Sequence, residues 1–245
     1  MGRLTDAIKH LLIINVLFFI ATLLYGDQMY QWFSLWFPEN ENFRWWQVGT
    51  HMFMHGNFMH ILFNMYALWA FGSPLERIWG RNKFLFFYFS AGLGAALIHT
   101  GANYFFFEQG LEAILGTGIS KEQVLEIISG GQYSPEWYKV ASQSTIDSFL
   151  SAYNSPAVGA SGAVYGVLVA FAFMYPQAEL MLIFLPIPIK AKYFVPLIIL
   201  GDLIFGFTRV NTGIAHFAHI GGALIGFIMM WYWKKNQFDK NRWDK

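Results

Sequence analysis

The stretch PAVGASGAVYGVLVAFAFMY, Pro156 to Tyr175, holds no charged residue in 20 positions, and about 20 apolar residues are what a helix needs to cross a hydrocarbon core. Its first half sets Gly159, Gly162 and Gly166 around a single serine, Ser161. Glycine costs a helix interior roughly 0.8–1 kcal/mol against alanine. Three of them in an apolar helix therefore point to a close-packed neighbour, because small residues let backbones approach inside a bilayer.

Outward from this segment, five more of the same kind lie near 8–25, 56–73, 84–107, 193–208 and 214–233, beside 156–175 itself. Of the 245 residues 56% are hydrophobic and 20% aromatic, but only 13% are charged, whereas a soluble domain carries roughly a quarter as charges. Such a chain lacks the polar surface to face water on all sides, so a bilayer is the implied solvent. We expect an all-α polytopic membrane protein: one domain over 1–245, built as a bundle of six spans. The first span begins beside Arg3 and Lys9 like a signal peptide, but no small-residue cleavage site follows it, and it is expected to stay as a helix.

The charges are distributed unevenly. With a cytoplasmic N-terminus, the segments on that side hold Arg3, Arg77, Arg81, Lys83, Lys190, Lys192, Lys234, Lys235, Lys240, Arg242 and Lys245. The opposite side holds only Arg44, Lys121, Lys139 and Arg209. That asymmetry follows the positive-inside rule for both termini in the cytoplasm, and a prokaryotic cytoplasmic membrane is the expected location. Cysteine is absent, which excludes disulfides, a thiol nucleophile and thiolate metal ligation.

Three extramembrane stretches stand out. Residues 26–55 carry Trp32, Trp36, Trp45 and Trp46 among charges and suit a loop in the headgroup layer. Residues 108–155 form the only sizeable polar insertion; its KEQVLEII reads as a short amphipathic helix and its GGQYSPEW as a turn. No soluble stretch is expected to bury a core of its own. LMLIFLPIPIKAKY, Leu180 to Tyr193, is broken by Pro186 and Pro188 and suits a loop on the membrane surface. No internal repeat argues for a transporter.

Ionisable and polar groups inside spans are expensive, a charge costing about 2.5–3.5 kcal/mol at a helix centre on insertion scales. The informative set is His60, Asn64, Ser161, Asp202, His216 and His219. In GIAHFAHIGGALIGF, residues Ala215, His219, Gly222 and Gly226 share one helical face, and the recurrence of Gly159, Gly162 and Gly166 makes a matching face on the fourth span. Two such helices can approach until an imidazole reaches a hydroxyl, the geometry that activates a serine nucleophile. Taken singly, each residue reads first as a packing feature: Ser161 bonded to its own helix, His219 a satisfied buried histidine. His60 and Asn64, four apart in MHILFN, add two hydrogen-bond donors of the sort an oxyanion hole uses.

From Trp46 to Phe227, HMFMHGNFMHILFN, GASGAVYG and AHIGGALIG stand in an order and spacing that resemble the rhomboid family of intramembrane serine proteases. The resemblance implies a six-span rhomboid-like bundle, with Ser161 as nucleophile and His219 as general base. It implies oxyanion binding by His60, Asn64 and the Ser161 amide, with Tyr165 packed under the catalytic imidazole. Gly159, Gly162, Gly222 and Gly226 then support the site. The implied function is serine endopeptidase cleavage in or beside transmembrane helices of single-span or other membrane-protein substrates, within the lipid bilayer. Neither a cofactor, a metal nor nucleic acid is expected. The alternative is a catalytically inactive rhomboid-like scaffold that binds transmembrane helices, although such a scaffold has no use for a serine and histidine pair.

The chain departs from the family in several places. Trp46-Gln47 stands where many members have Trp-Arg, with Arg44 two residues earlier. Glu76 in PLERIWG matches an acidic position expected to tie that helix end to neighbouring backbone. His51, His55, His60, His99, His216 and His219 raise a metal alternative, but HMFMH lacks the glutamate of HExxH. Asp202 in LGDLIFGF invites a Ser-His-Asp triad; the resemblance implies a dyad without a carboxylate, which leaves Asp202 without an assigned partner. Phe205, Phe207 and the loop RVNTG are candidates for a lateral gate.

Overall fold

A computed structural model describes residues 4–182, 185–208 and 212–240. The chain runs through α1 (Asp6–Tyr25), α2 (Asp27–Phe33), α3 (Gln47–Thr50), α4 (Phe58–Ala67), α5 (Ser73–Trp79) and α6 (Arg81–Leu115). It continues through α7 (Lys121–Ser129), α8 (Trp137–Val140), α9 (Gln143–Asn154), α10 (Ser161–Met174), α11 (Ala191–Thr208) and α12 (His216–Lys240), with β1 (Glu179–Leu182) and β2 (Leu185–Lys190) before α11. This is an all-α polytopic membrane fold with one small hairpin added. Helices α1, α6 and α11 are each long and apolar enough to cross a membrane. Helices α4 and α5 join through a π-helical turn at Leu68–Gly72, and α10 is a shorter apolar helix. Of the charges that set the expected topology, Arg3, Arg209, Arg242 and Lys245 lie outside the described residues.

The stretch from Pro156 to Tyr175 is not helical from its start. Ala157 and Leu35 exchange both backbone hydrogen bonds at 2.9 Å, and Gly159 has φ +122°, a conformation that L side chains rarely adopt. Residues 156–160 are therefore held outside the helix, and α10 begins at Ser161. Gly159 consequently leaves the expected approach face, which consists of Gly162 and Gly166 alone on this helix. Their partners are Gly222 and Gly226: a β-carbon on Gly222 would stand 1.8 Å from the Gly162 carbonyl oxygen, and one on Gly226 2.7 Å from the Gly166 α-carbon. Ala91 and Ala95 of α6 close the third side, at 2.6 and 2.5 Å from hypothetical β-carbons on Gly166 and Gly162. Helices α6, α10 and α12 thus pack through backbone and methyl groups, with van der Waals contact doing what hydrophobic exclusion cannot do in lipid.

The buried Glu76 reaches across to the start of α1. Its carboxylate accepts from the backbone N–H groups of Ala7 at 2.7 Å and Ile8 at 3.1 Å, and from the Thr5 hydroxyl. The first N–H groups of any helix lack intrahelical partners, and Thr5 makes no side-chain cap. A carboxylate from α5 caps α1 instead, in the sense favoured by the helix dipole.

The insertion departs from expectation. Helix α6 runs on to Leu115, past the expected span end at 107, and lends Phe107, Leu111 and Ile114 to α7, α8 and α9. Val124, Ile128, Trp137, Ile146, Phe149 and Tyr153 complete a second buried cluster there. The insertion does bury a core, because a span prolonged beyond its membrane stretch supplies the missing apolar face. Ser120 and Gln123 form a reciprocal capping box at the head of α7, the amphipathic KEQVLEII helix.

The 180–193 stretch is mostly hairpin rather than loop, pairing Glu179 with Lys190 and Leu180 with Ile189; Ile183 and Phe184 lie outside the described residues. A two-stranded hairpin leaves one edge of each strand unpaired, which is where proline fits. The tryptophan-rich stretch 26–55 is likewise structured. The buried Gln47 donates to the Gln31 and Asn42 carbonyls at 2.8 and 2.9 Å and accepts from the Arg44 N–H at 3.0 Å. Trp46 stacks on Trp32 and donates to its carbonyl at 2.8 Å.

Candidate active site

Ser161 is the first residue of α10, so the N–H groups of the first turn point out of the helix without intrahelical partners, at its electropositive end. Its hydroxyl lies 2.9 Å from Nε2 of His219, which sits within the first turn of α12. The glycine contacts make this distance possible, since any side chain at Gly222 would part the two helices. Tyr165, one turn below Ser161, stacks on the His219 ring with centroids 4.2 Å apart and planes inclined by 13°. That contact restricts rotation of the imidazole.

His60 lies at the head of α4, where Asn57 caps its backbone N–H at 2.8 Å. The ring packs against Gly159, whose hypothetical β-carbon would stand 2.8 Å from His60 Nε2 and 3.5 Å from the Ser161 hydroxyl. Glycine at 159 is thus needed for its backbone angle and for the imidazole it admits. The Gly56 N–H approaches His60 Nδ1 at 3.4 Å. An acceptor role for Nδ1 leaves the proton on Nε2, the atom beside Gly159 and Ser161. Asn64 is buried and donates to the His60 carbonyl at 2.9 Å, which uses one of its two amide hydrogens. The four residues from three separate helices are placed as follows: Ser161 and His219 bonded, His60 beside them, and Asn64 held on its own helix one turn from His60.

Three residues that the sequence left without partners join this group. His219 Nδ1 lies 3.1 Å from Asp202 Oδ1 on α11, and His216 Nδ1 lies 2.5 Å from the same oxygen. Thr212 Oγ1 lies 2.6 Å from His216 Nε2. Asp202 and His216 are both buried. The signal in the sequence was a carboxylate in a span, whose cost implies a partner, but nothing in the spacing of 14 and 17 residues names which one. Asp202, His216 and His219 bring ligand-type atoms within 4.8 Å of one another. Both Nδ1 atoms are at hydrogen-bond distance from the carboxylate, so the cluster reads as a hydrogen-bonded network and not as a set of open ligands.

His51 and His55 serve the scaffold. His51 Nδ1 donates to the Gln47 carbonyl at 2.9 Å, and the His51 carbonyl accepts from the Gly159 N–H at 2.9 Å, which ties the loop to the extended residues before Ser161. Burial pushes the His51 imidazole down to about 4. Burial first and the nearby His60 second bring His55 to about 4. His99, inside α6, faces Asn103 at 3.2 Å. Phe205 stacks near His216 at 5.6 Å and Phe207 packs edge-on to Phe217 at 5.9 Å; Arg209 to Asn211 of the expected gate lie outside the described residues. A cavity of ≈ 260 Å³ beside His216 is lined by His99, Asn103, Ser151, Phe205, Thr212 and Phe217 among others.

Residues 42–117 and 138–236 match the Rhomboid domain family, and the chain belongs to that family. Among curated proteins it is similar to Rhomboid protein 1, mitochondrial, of Saccharomyces cerevisiae: 25% identical over 183 residues, covering 75% of this chain and 40% of that one. It is similar to Rhomboid protease AarA of Providencia stuartii, 27% identical over 189 residues, covering 76% and 54%. It is also similar to Presenilin-associated rhomboid-like protein, mitochondrial, of Homo sapiens, 29% identical over 184 residues, covering 74% and 35%. The chain spans about half or less of the length of these relatives. The family includes a protease, and the fold is that of a membrane protein. The mitochondrial relatives do not bear out the expectation of a prokaryotic cytoplasmic membrane.

Proposed function

We propose that this chain is an intramembrane serine endopeptidase acting by a Ser161–His219 pair. The observation that carries the reading is the 2.9 Å contact between the Ser161 hydroxyl and His219 Nε2 at the head of a helix. In the proposed reaction, His219 Nε2 takes the hydroxyl proton as Oγ bonds to the substrate carbonyl carbon. The carbon–nitrogen bond then breaks and His219 returns the proton to the leaving amine. Water attacks the acyl-enzyme with its proton passing to His219, and the acid product leaves as Oγ is reprotonated. The oxyanion is held by the Ser161 N–H, by His60 through Nε2–H, and by the second amide hydrogen of Asn64. A helix N-terminus supports the same charge. Tyr165, Gly159, Gly162, Gly222 and Gly226 hold these groups at reacting distance.

The partners proposed are single-span or other transmembrane proteins in the lipid bilayer, with the chain as one membrane domain of six spans and both termini on one side. A transmembrane helix satisfies its own backbone hydrogen bonds, so a substrate must unwind locally before Ser161 can reach a carbonyl. Helix-weakening and small residues near the cut are the expected preference. Entry past α11, by movement of Phe205 and Phe207, fits their exposure. The cavity beside His216 supports a route for water.

The test is cleavage of a single-span substrate by purified protein in detergent. Ser161→Ala and His219→Ala are each expected to lower the rate by at least about 10³-fold, by analogy with other serine nucleophile and base deletions. Undiminished cleavage by both variants, or cleavage abolished by a chelator but untouched by a serine-directed phosphonate, would overturn the reading.

A further inference from the structure

We propose that Asp202 is a positioning residue that acts through His219, as the carboxylate of a Ser161–His219–Asp202 relay that His216 and Thr212 extend to the loop between α11 and α12. The inference rests on the Ser161–His219 reading and departs from the dyad that the family resemblance implies.

With Asp202 ionised, the donor and acceptor roles along this chain follow from one another. A carboxylate only accepts, so both imidazoles that face Asp202 Oδ1 through Nδ1 carry their proton there, His219 at 3.1 Å and His216 at 2.5 Å. With Nδ1 protonated, a neutral imidazole has its lone pair on Nε2. His219 Nε2 then faces the Ser161 hydroxyl as an acceptor at 2.9 Å, the state a general base must have before the reaction starts. His216 Nε2 is likewise left as an acceptor, and the Thr212 hydroxyl donates to it at 2.6 Å. One assignment of protons links five groups in sequence without a conflict at any link, all through Asp202 Oδ1, while the buried Oδ2 has no hydrogen-bond partner among the described residues.

The energetics favour the same assignment. A buried carboxylate in a span is costly unless it is hydrogen-bonded, and two imidazole N–H groups at Oδ1 offset part of that cost. When His219 takes the Ser161 proton it becomes an imidazolium 3.1 Å from that charge, in surroundings where Coulomb attraction is screened far less than in water. His216 and His219 lie three residues apart on α12 and so share a face. His216 thereby holds the carboxylate from the side of the α11–α12 loop while His219 uses it, and Tyr165 fixes the ring by stacking.

The experiment uses the full chain in detergent with a single-span substrate. It reads kcat and KM separately, the rate at which a fluorophosphonate labels Ser161, and the melting temperature. Asp202→Asn is expected to lower kcat and the labelling rate in parallel by about 10⁴-fold with KM near the wild-type value, the magnitude for removing the orienting carboxylate of other serine proteases. Thr212→Val, at the exposed end of the relay, is expected to lower both rates about fivefold, as for one lost neutral hydrogen bond. A folded Asp202→Asn within twofold of wild type in kcat and labelling overturns the proposal. So does a Thr212→Val without effect if Asp202→Asn fails to fold, and so does wild-type activity that a chelator removes and zinc restores, which would make the cluster a metal site. If wild-type protein is not labelled at Ser161, the Ser161–His219 reading fails first, a result separate from all of these.

Discussion

Gly222→Ala tests the idea that two glycine faces set the reacting distance. The added methyl carbon would stand 1.8 Å from the Gly162 carbonyl oxygen, 2.6 Å from its carbonyl carbon and 3.2 Å from its α-carbon, where ordinary contact begins at 3.4 Å. All three obstacles are backbone, so no rotamer can relieve them. Helices α10 and α12 must part by roughly 1.5 Å to regain contact distance. The Ser161–His219 hydrogen bond spans the same interface at 2.9 Å and lies beyond hydrogen-bond reach once that shift is added. Overpacking of this kind costs about 1–3 kcal/mol in stability, and a misplacement of ~1 Å at reacting groups costs about 10²-fold in rate. Gly101→Ala is the control: nothing lies within 4 Å of the added carbon on α6. Melting temperature in detergent and cleavage of a single-span substrate are measured for both. Gly222→Ala should melt lower and cleave about 10²-fold slower, and Gly101→Ala should match wild type. If Gly222→Ala cleaves at the wild-type rate, the backbone contact does not set the distance between Ser161 and His219.

Two further outcomes follow from buried polar groups outside the site. Glu76→Gln replaces one acceptor oxygen of the cap on α1 with an amide and removes its charge; a loss of about 2 kcal/mol is expected, since hydrogen bonds to charged groups contribute about 1.5–3 kcal/mol, and an unchanged melting temperature would show that the cap is dispensable. Stability should also fall with pH in a defined window. His51 and His55 are brought to about 4 by burial, below the ordinary histidine value near 6.5, so the unfolded chain binds more protons between those values. Their contribution is complete above about pH 6.5 and is lost as pH falls toward 4, at up to about 3 kcal/mol for His51 from 1.36 kcal/mol per unit. A melting temperature flat from pH 7 to 5, or a slope unaltered in His51→Gln, contradicts this.

Much of this molecule is legible in local patterns because lipid allows few structures. A bilayer requires a spanning segment to satisfy its backbone internally, so uncharged runs such as Val164–Met174 read as helices without knowledge of their neighbours. The glycine spacing announced that two helices meet, and a serine beside one of those faces with a histidine on the other supplied the candidate chemistry. The Trp46-Gln47 departure was visible as a difference but not as the loop's central hydrogen-bonding residue, because an amide's partners are backbone groups whose positions depend on the folded loop.

Three things were decided only in three dimensions. The start of α10 at Ser161 depends on the pairing of Leu35 with Ala157 and on the positive φ of Gly159, and the chain alone cannot say that residues 122 positions apart exchange backbone hydrogen bonds. The core of the insertion depends on α6 continuing past its membrane stretch, which no hydropathy boundary foretells. The placement of Asp202 depends on how α11 leans on α12. Periodicity assigns residues to a face of their own helix, and only packing decides which face of another helix they meet. The sequence by itself determined the solvent, the helices and the chemical groups available. The tertiary structure decided which group touches which, because hydrogen bonds reach about 3 Å while a helix register, rotation or tilt left open by sequence moves side chains farther than that.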